Sequence, residues 1–420
     1  MRGEPTGQSG SKIDVKLDRI SNLPSDVTEK ILSRLPIRDA VRTNVLSRQW
    51  RYKSAILPHL VFDDRCVSTR MNHTIFVKIV DRVLLLHIGP IHKFKLTLEN
   101  FVATSDIDQW ILHLSRNSIK TLILQIGRGG RYTIPSCLFS CQELFRLELS
   151  HCLLKPPPST FKGFKSLKAL QIDNATMSQD VLENMIVSCP LLVTLTLIDC
   201  DGFTHLKVNA TCLRTLAVIG DFETVILENT LNLNYVYLIS NANVTQVRVP
   251  GTCSNLVNFF VHLPQIRDLG ISKSFLKYLA AGGCPRKLAR SCRYLRYLNL
   301  RMSFSNKDEV LTALCLLRSS PTLERLEIFS DHAAVEVENN YSLLDDNHNC
   351  VFSELRLVEI KDVSGAKAEL DFIKFLLLSS PTLKSMKIKP AYADGSLELL
   401  KKLLEFGRVS VNSKIIYLAP

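Results

Sequence analysis

One pattern constrains this chain more than any other. From residue 91 onward an apolar residue is followed by a second after three positions and a third after five. The first positions are Ile91, Ile119, Leu144, Leu167, Leu192, Leu213, Leu233, Leu256, Leu295, Leu323, Leu355 and Leu383, separated by 20 to 39 residues. In an extended segment the fourth and sixth positions share one face, and a short strand with one apolar face buries it only when a like unit stacks on it. The chain is therefore predicted to fold by linear stacking. This resolves the problem set by 420 residues, since compact cores stop growing at about 250 to 300 residues.

The spacing is that of leucine-rich repeats. Return segments read as helices at Ser178 to Val187, Asp308 to Leu317 and Ala368 to Leu378, each ending near a Cys-Pro or Ser-Pro pair. Cys152 and Cys200 fall three positions after the last apolar residue of their triplets, where such repeats take Asn or Cys to bond the turn backbone. The gap between Leu256 and Leu295 holds a further triplet, Ile266, Leu269 and Ile271, read as a short or degenerate repeat. Unequal gaps predict a curved, uneven solenoid.

Ahead of the array, LPSDVTEKILSRLPIRDAVRTNVLSRQWR reads as three short helices. Asp26 and Glu29 fit a capping box, Val27, Ile31 and Leu35 recur every fourth residue beside Leu32, and Pro36 stops the first helix. Ser47 suits the cap of a third helix containing Trp50 and Ile56. About forty residues in three helices bury little alone, so a partner is expected. The segment resembles an F-box, on Leu23, Pro24, Asp26, Ile31, Leu32, Leu35, Pro36, Arg38, Asp39 and Trp50. That resemblance implies docking on the Skp adaptor of a cullin ubiquitin ligase, with Leu23, Pro24, Val27, Ile31, Val41, Val45, Leu46 and Trp50 supplying the contact surface or the packing beneath it.

The C-terminal stretch from Phe352 resembles an FBD domain: Leu355, Val358, Glu359 and Ile360 for a first strand, Glu369, Leu370, Phe372, Phe375 and Leu376 for a helix, Ser380, Pro381, Leu383, Met386 and Ile388 for a second strand, then Ile415 to Leu418. Together the three parts resemble the plant F-box/FBD/LRR-repeat proteins. The expected fold is α/β, with a disordered 1–16, a three-helix F-box at 17–62, an irregular leucine-rich-repeat solenoid at 63–350 and an FBD cap at 351–420.

The third, fifth and seventh positions of each strand should face outward, on the concave side. Early sets are mostly polar: Arg146, Glu148 and Ser150, then Ala169, Gln171 and Asp173. The middle is richer in aromatic residues, with Tyr235, Tyr237 and Ile239, then Asn258, Phe260 and His262, then Tyr297, Asn299 and Arg301, then Arg325, Glu327 and Phe329. Aromatic residues and Arg are favoured interface anchors. A protein substrate is accordingly expected on Tyr235, Tyr237, Phe260, His262, Tyr297 and Arg301.

Charge and motifs narrow the rest. The 52 Lys and Arg against 40 Asp and Glu give a net charge of +12, of which residues 1–60 hold 11 cations against 6 anions. With acids interspersed throughout and no long basic cluster, steering toward an acidic partner explains the charge better than nucleic acid. No phosphate loop, HExxH or GxSxG occurs, and the twelve cysteines lack paired CxxC spacing, so neither catalysis, a metal nor a cofactor is expected. The polar start and the absence of a membrane-length apolar run predict a nuclear or cytoplasmic protein without membrane contact. The expected function is a non-catalytic substrate-recognition subunit of an Skp/cullin/F-box ubiquitin ligase; a repeat scaffold acting outside a ligase is the alternative.

Overall fold

The computed structural model describes residues 23–46, 50, 53–66, 73–102, 104–241, 254–331, 350–393 and 396–419. The expected disordered tail at 1–16 and the Ser47 cap lie outside them.

Among the described residues, fourteen parallel strands form one sheet in strict chain order. They are β1 (His59–Asp63), β2 (Lys93–Val102), β3 (Thr121–Arg128), β4 (Arg146–Ser150), β5 (Ala169–Asp173), β6 (Thr194–Ile198) and β7 (Thr215–Gly220). The second half is β8 (Tyr235–Ser240), β9 (Asp268–Ile271), β10 (Tyr297–Met302), β11 (Arg325–Ser330), β12 (Leu357–Val363), β13 (Ser385–Pro390) and β14 (Lys414–Tyr417). Register follows the triplets: Leu195 pairs with Leu170 and Leu216, and Leu197 with Ile172 and Val218. These fourth and sixth positions are fully buried, while Thr194, Thr196 and Ile198 between them are half-exposed.

The turn after the strand is also a repeat feature. His151, Asn174, Asp199 and Asp362 stand at the eighth position with φ of 53°, 47°, 48° and 58°, and Gly220 takes the same place at 142°. Asn, Asp and Gly tolerate this left-handed region best. Cys200 follows Asp199, and its thiol bonds the Ile172 carbonyl at 3.3 Å and the Ile198 carbonyl at 3.5 Å.

Return structure varies along the array. Most repeats fold back through helices: α3 (His73–Leu86), α4 (Asp106–Ser115), α5 (Gln179–Val187), α6 (Asn255–Val261), α7 (Lys273–Ala280), α8 (Lys307–Arg318) and α9 (Lys367–Ser379), with α10 (Ser396–Leu404) before the last strand. The repeat from Ile119 instead returns through a 3-10 turn at Ser136–Ser140, and the one from Leu144 without a helix. The two shortest repeats, starting at Leu192 and Leu213, have no length for a helix. They return through His205–Asn209 and Thr224–Glu228, which pair in parallel with each other. Residues 355–417 continue the array with three more strands and two helices.

The repeat that the sequence places at Leu256 is a correction. Residues 255–261 form α6, and the strand of this repeat is β9, built on Ile266, Leu269 and Ile271. Leu256, Phe259, Phe260 and Leu263 are all buried and recur at helical spacing, whereas Val261, the triplet's third member, is exposed. The 3.6-residue period therefore wins over the strand spacing that the same residues also satisfy.

The N-terminal boundary also moves. Leu57, Leu60 and Phe62 form an unrecognised triplet whose strand is β1, so a division at 62/63 cuts through the first strand of the sheet. Before it come α1 (Ser25–Leu32), α2 (Ile37–Arg42) and short 3-10 turns at Thr43–Val45 and Ser54–Ile56. Pro24 caps α1, with no side-chain bond from Asp26, so the expected capping box is not formed. Leu32, Ile37, Ala40 and Trp50 share one core cluster with Leu57, Leu60 and Phe62, making the helices continuous with the solenoid.

Buried glutamates fasten two return helices. Glu369, third in α9, accepts from Ser364 N at 2.9 Å, Gly365 N at 2.8 Å, Ser364 Oγ at 2.8 Å and Ser330 Oγ at 2.6 Å. Glu309 does the same in α8 from Ser303 N at 2.7 Å. Glu369→Ala should strand these donors and cost about 2–4 kcal/mol locally. Hydrogen exchange of amides 364–370 should speed up while exchange in β2–β5 stays unchanged.

Candidate functional site

Two surfaces carry the side chains that the sequence singles out. On the first, α1 turns Thr28 and Leu32 into the core and presents Ile31 to solvent with Val27 half-buried beside it, and Leu35 is exposed just past the helix end. The more apolar stripe of this helix thus faces outward. Val41, Val45 and Leu46 are exposed as well, the last two at 87% and 60%. Pro24 is exposed, Leu23 is half-buried, and Trp50 lies wholly inside as packing beneath the surface. Apolar residues grouped in this way mark an interaction site.

The second surface is the outward face of β8–β12. In β8 the expected parity holds for the first two outward places, with Val236 and Leu238 buried, Tyr235 38% exposed and Tyr237 half-buried, but Ile239, expected outward as the third, is buried. The two rings stack with centroids 6.5 Å apart. Tyr237 lies across the neighbouring strand at Gly270, where an added Cβ would stand 2.0 Å from the ring. Gly270 is thus the seat of that ring. Asp268 follows Tyr235 across the sheet and Tyr297 follows Asp268.

Beyond Tyr297 the face becomes an ionic lattice. The Tyr297 hydroxyl donates to the Glu327 carboxylate, and Asn299 Nδ2 donates to the same hydroxyl at 3.2 Å. Lys361 Nζ stands 2.6 Å from Glu327 and 3.3 Å from Glu359, and Arg325 lies 3.6 Å from Glu327. Cations also cover the rings, with Arg325 over Tyr297 at 5.2 Å, Arg301 over Phe329 at 5.4 Å and Lys361 over Phe329 at 4.6 Å. Burial and the bond to Glu327 push the Tyr297 phenol up to about 12. Burial also pushes the Glu327 carboxyl up, but Lys361 and Tyr297 outweigh it and hold the group below the usual glutamate value.

Four of the six expected substrate residues, Tyr235, Tyr237, Tyr297 and Arg301, are brought together on β8 and β10. Phe260 and His262 are not. Phe260 is 7% exposed within α6, packed on Phe259 at 5.5 Å, and His262 caps the helix. Their places in the register fall to Gly270 and Ser272, which follow from the Ile266, Leu269 and Ile271 triplet at the same spacing.

No group of side chains that could hold a metal occurs among the described residues. Burial pushes the thiols of Cys189 and Cys292 up to about 12 and that of Cys200 to about 11, which keeps them protonated and unreactive at neutral pH. Among the described residues no helix is long and apolar enough to cross a membrane.

Family models match in three blocks: an F-box domain at residues 20–59, the LRR repeats of FBD-associated F-box protein At5g56370 at 107–328, and FBD at 349–388. The Arabidopsis thaliana F-box/FBD/LRR-repeat protein At1g13570 is 38% identical, covering 96% of this chain and 98% of that protein. The putative F-box/FBD/LRR-repeat protein At5g22670 of the same plant is 29% identical, over 95% of this chain and 97% of its own length. The probable FBD-associated F-box protein At1g32375, also from that plant, is 25% identical over 96% and 100%.

Because the Glu327 pKa lies below its unfolded value, the stability it contributes is complete above about pH 4.3 and is lost as pH falls through the depressed folded value. A gap in Tm between the native protein and Glu327→Gln should be present at neutral pH. It should close as the solution is acidified below about pH 4.

Proposed function

Because the chain belongs to the F-box/FBD/LRR-repeat protein family, we propose that it is the substrate-recognition subunit of an Skp/cullin/F-box ubiquitin ligase. The N-terminal helices dock on the Skp adaptor, and through it on cullin, while the sheet's outward face holds a protein for ubiquitin transfer. The observation that carries this reading is the apolar stripe of α1 and the Thr43–Val45 turn, turned to solvent although Leu32 and Trp50 anchor the same segment in the core. A stand-alone repeat scaffold has no use for such a stripe at its end. Catalysis belongs to the partners, and the protein works in the nucleus or cytosol.

The substrate surface in this reading is Tyr235, Tyr237, Tyr297 and Arg301. Tyr237 and Tyr297 are held before any partner arrives, one by its seat on Gly270 and the other by Glu327, so little conformational entropy is lost on binding.

Deleting residues 1–60 would remove Leu57 and Leu60 and expose β2, so point changes are the better test. Ile31→Asp with Val45→Asp should weaken co-purification with the Skp adaptor by more than about tenfold while leaving the melting curve unchanged, since each places an unpaired charge in an apolar contact. Retained adaptor binding would overturn the docking assignment. Tyr235→Ala with Tyr237→Ala should keep adaptor binding and remove a subset of proximity-labelled proteins, at about 2 kcal/mol per anchor. An unchanged labelled set would remove the patch from the substrate surface.

A further inference from the structure

The residue after each repeat's first position forms a row along the N-terminal edge of the strands. Its backbone is continuous: Lys168 N bonds the Phe145 carbonyl at 2.9 Å, Val193 N that of Lys168 at 2.8 Å, Arg214 N that of Val193 at 2.8 Å and Asn234 N that of Arg214 at 3.0 Å. In its first half the row alternates. Lys120, Lys168, Arg214 and Arg267 are exposed cations, and Phe145, Val193 and Asn234 stand between them. Toward the far end the row is mixed: Arg296 lies 3.6 Å from Glu324, the one acid in the row, and Arg356 3.4 Å from Glu354, before Lys384.

Strands in a sheet lie about 4.8 Å apart, so cations on alternate strands recur at about 10 Å. Phe145, 47% exposed, has the Lys168 ammonium 5.1 Å from its ring. It also lines an open hollow of about 570 Å³ with His59, His92, Lys93, Lys120 and Glu143. The rail therefore offers point charges at a fixed pitch, with Phe145 and Val193 as apolar footholds between the first three.

We propose that this rail binds an acidic helical segment of a protein partner, with a carboxylate every seventh residue and apolar residues in between. Seven helical residues rise about 10.5 Å, close to the spacing of the cations, and long Lys and Arg side chains absorb the difference. Nucleic acid fits less well. Its phosphates recur at about 3.4 Å along a strand, far denser than these cations, and Glu143, Glu324 and Glu354 stand in or beside the row. The inference rests on the solenoid serving as the partner-holding arm, and it adds the chemical class of what that arm holds.

The test uses the full-length protein and a synthetic helix of about four heptads with Glu at every seventh position and Leu between. A second peptide has the same composition with Glu re-spaced to every fifth position, and a single-stranded oligonucleotide serves as competitor. Native protein and the charge-matched control Lys307→Glu/Lys401→Glu/Lys402→Glu should bind the heptad peptide equally. Lys120→Glu/Lys168→Glu/Arg214→Glu should bind it at least about tenfold more weakly, with the difference shrinking as salt is raised. Should that triple fail to fold, Lys120→Gln/Arg214→Gln should show the same direction. Equal losses in rail and control variants, equal binding of the re-spaced peptide, or tighter binding of the oligonucleotide would overturn the proposal. Adaptor co-purification is scored on the same preparations. A ligase reading that fails leaves every sample without adaptor, whereas a rail proposal that fails leaves adaptor binding intact.

Discussion

Every strand of the sheet carries two inward apolar side chains that only its neighbours can cover. Leu195 and Leu197 are dry because Leu170, Ile172, Leu216 and Val218 flank them in register. A stack of this kind has no central core, and each repeat depends on the next for most of its burial. The same dependence reaches the chain's first helices, because Trp50 and Leu32 pack with the residues of β1 and have no separate core of their own. The N-terminal helices are thereby fixed to the sheet through packed side chains.

The outward face inherits its order from this arrangement. Strand pairing fixes third, fifth and seventh positions in rows, so a side chain chosen in one repeat has a determined neighbour in the next. Tyr237 lies on Gly270 and Tyr297 bonds Glu327 for this reason. A single glycine, which no periodicity argument would single out, decides where an aromatic ring rests.

Much of this is legible in the residues. The triplets locate eleven of the strands by their first positions, and the returns at α5, α8 and α9 follow from helical spacing and Pro signals. Two places defeat the reading for physical reasons. Leu256, Phe259 and Val261 satisfy the strand spacing, but Phe260 and Leu263 complete a helical stripe that buries more surface. Leu57, Leu60 and Phe62 are hidden by the N-terminal motif that overlaps them, although their spacing is that of every later repeat. The outward orientation of Ile31 and Leu35 is invisible to periodicity as well, since an apolar stripe announces a buried face without saying whether the covering surface belongs to the same chain.

The two returns at His205–Asn209 and Thr224–Glu228 have a mechanical consequence. Helices need about 10 Å of lateral room while strands need about 4.8 Å, so an array backed by helices must bend to accommodate them. Extended returns need no more room than the strands they back, so the two layers match in spacing there. The outward floor over that section is small, with Thr194, Thr196, Thr215 and Ala217. The short side chains of Thr215 and Ala217 stand directly beside Tyr235 and Tyr237 on the next strand, so this section forms a shallow step at the foot of the aromatic pair.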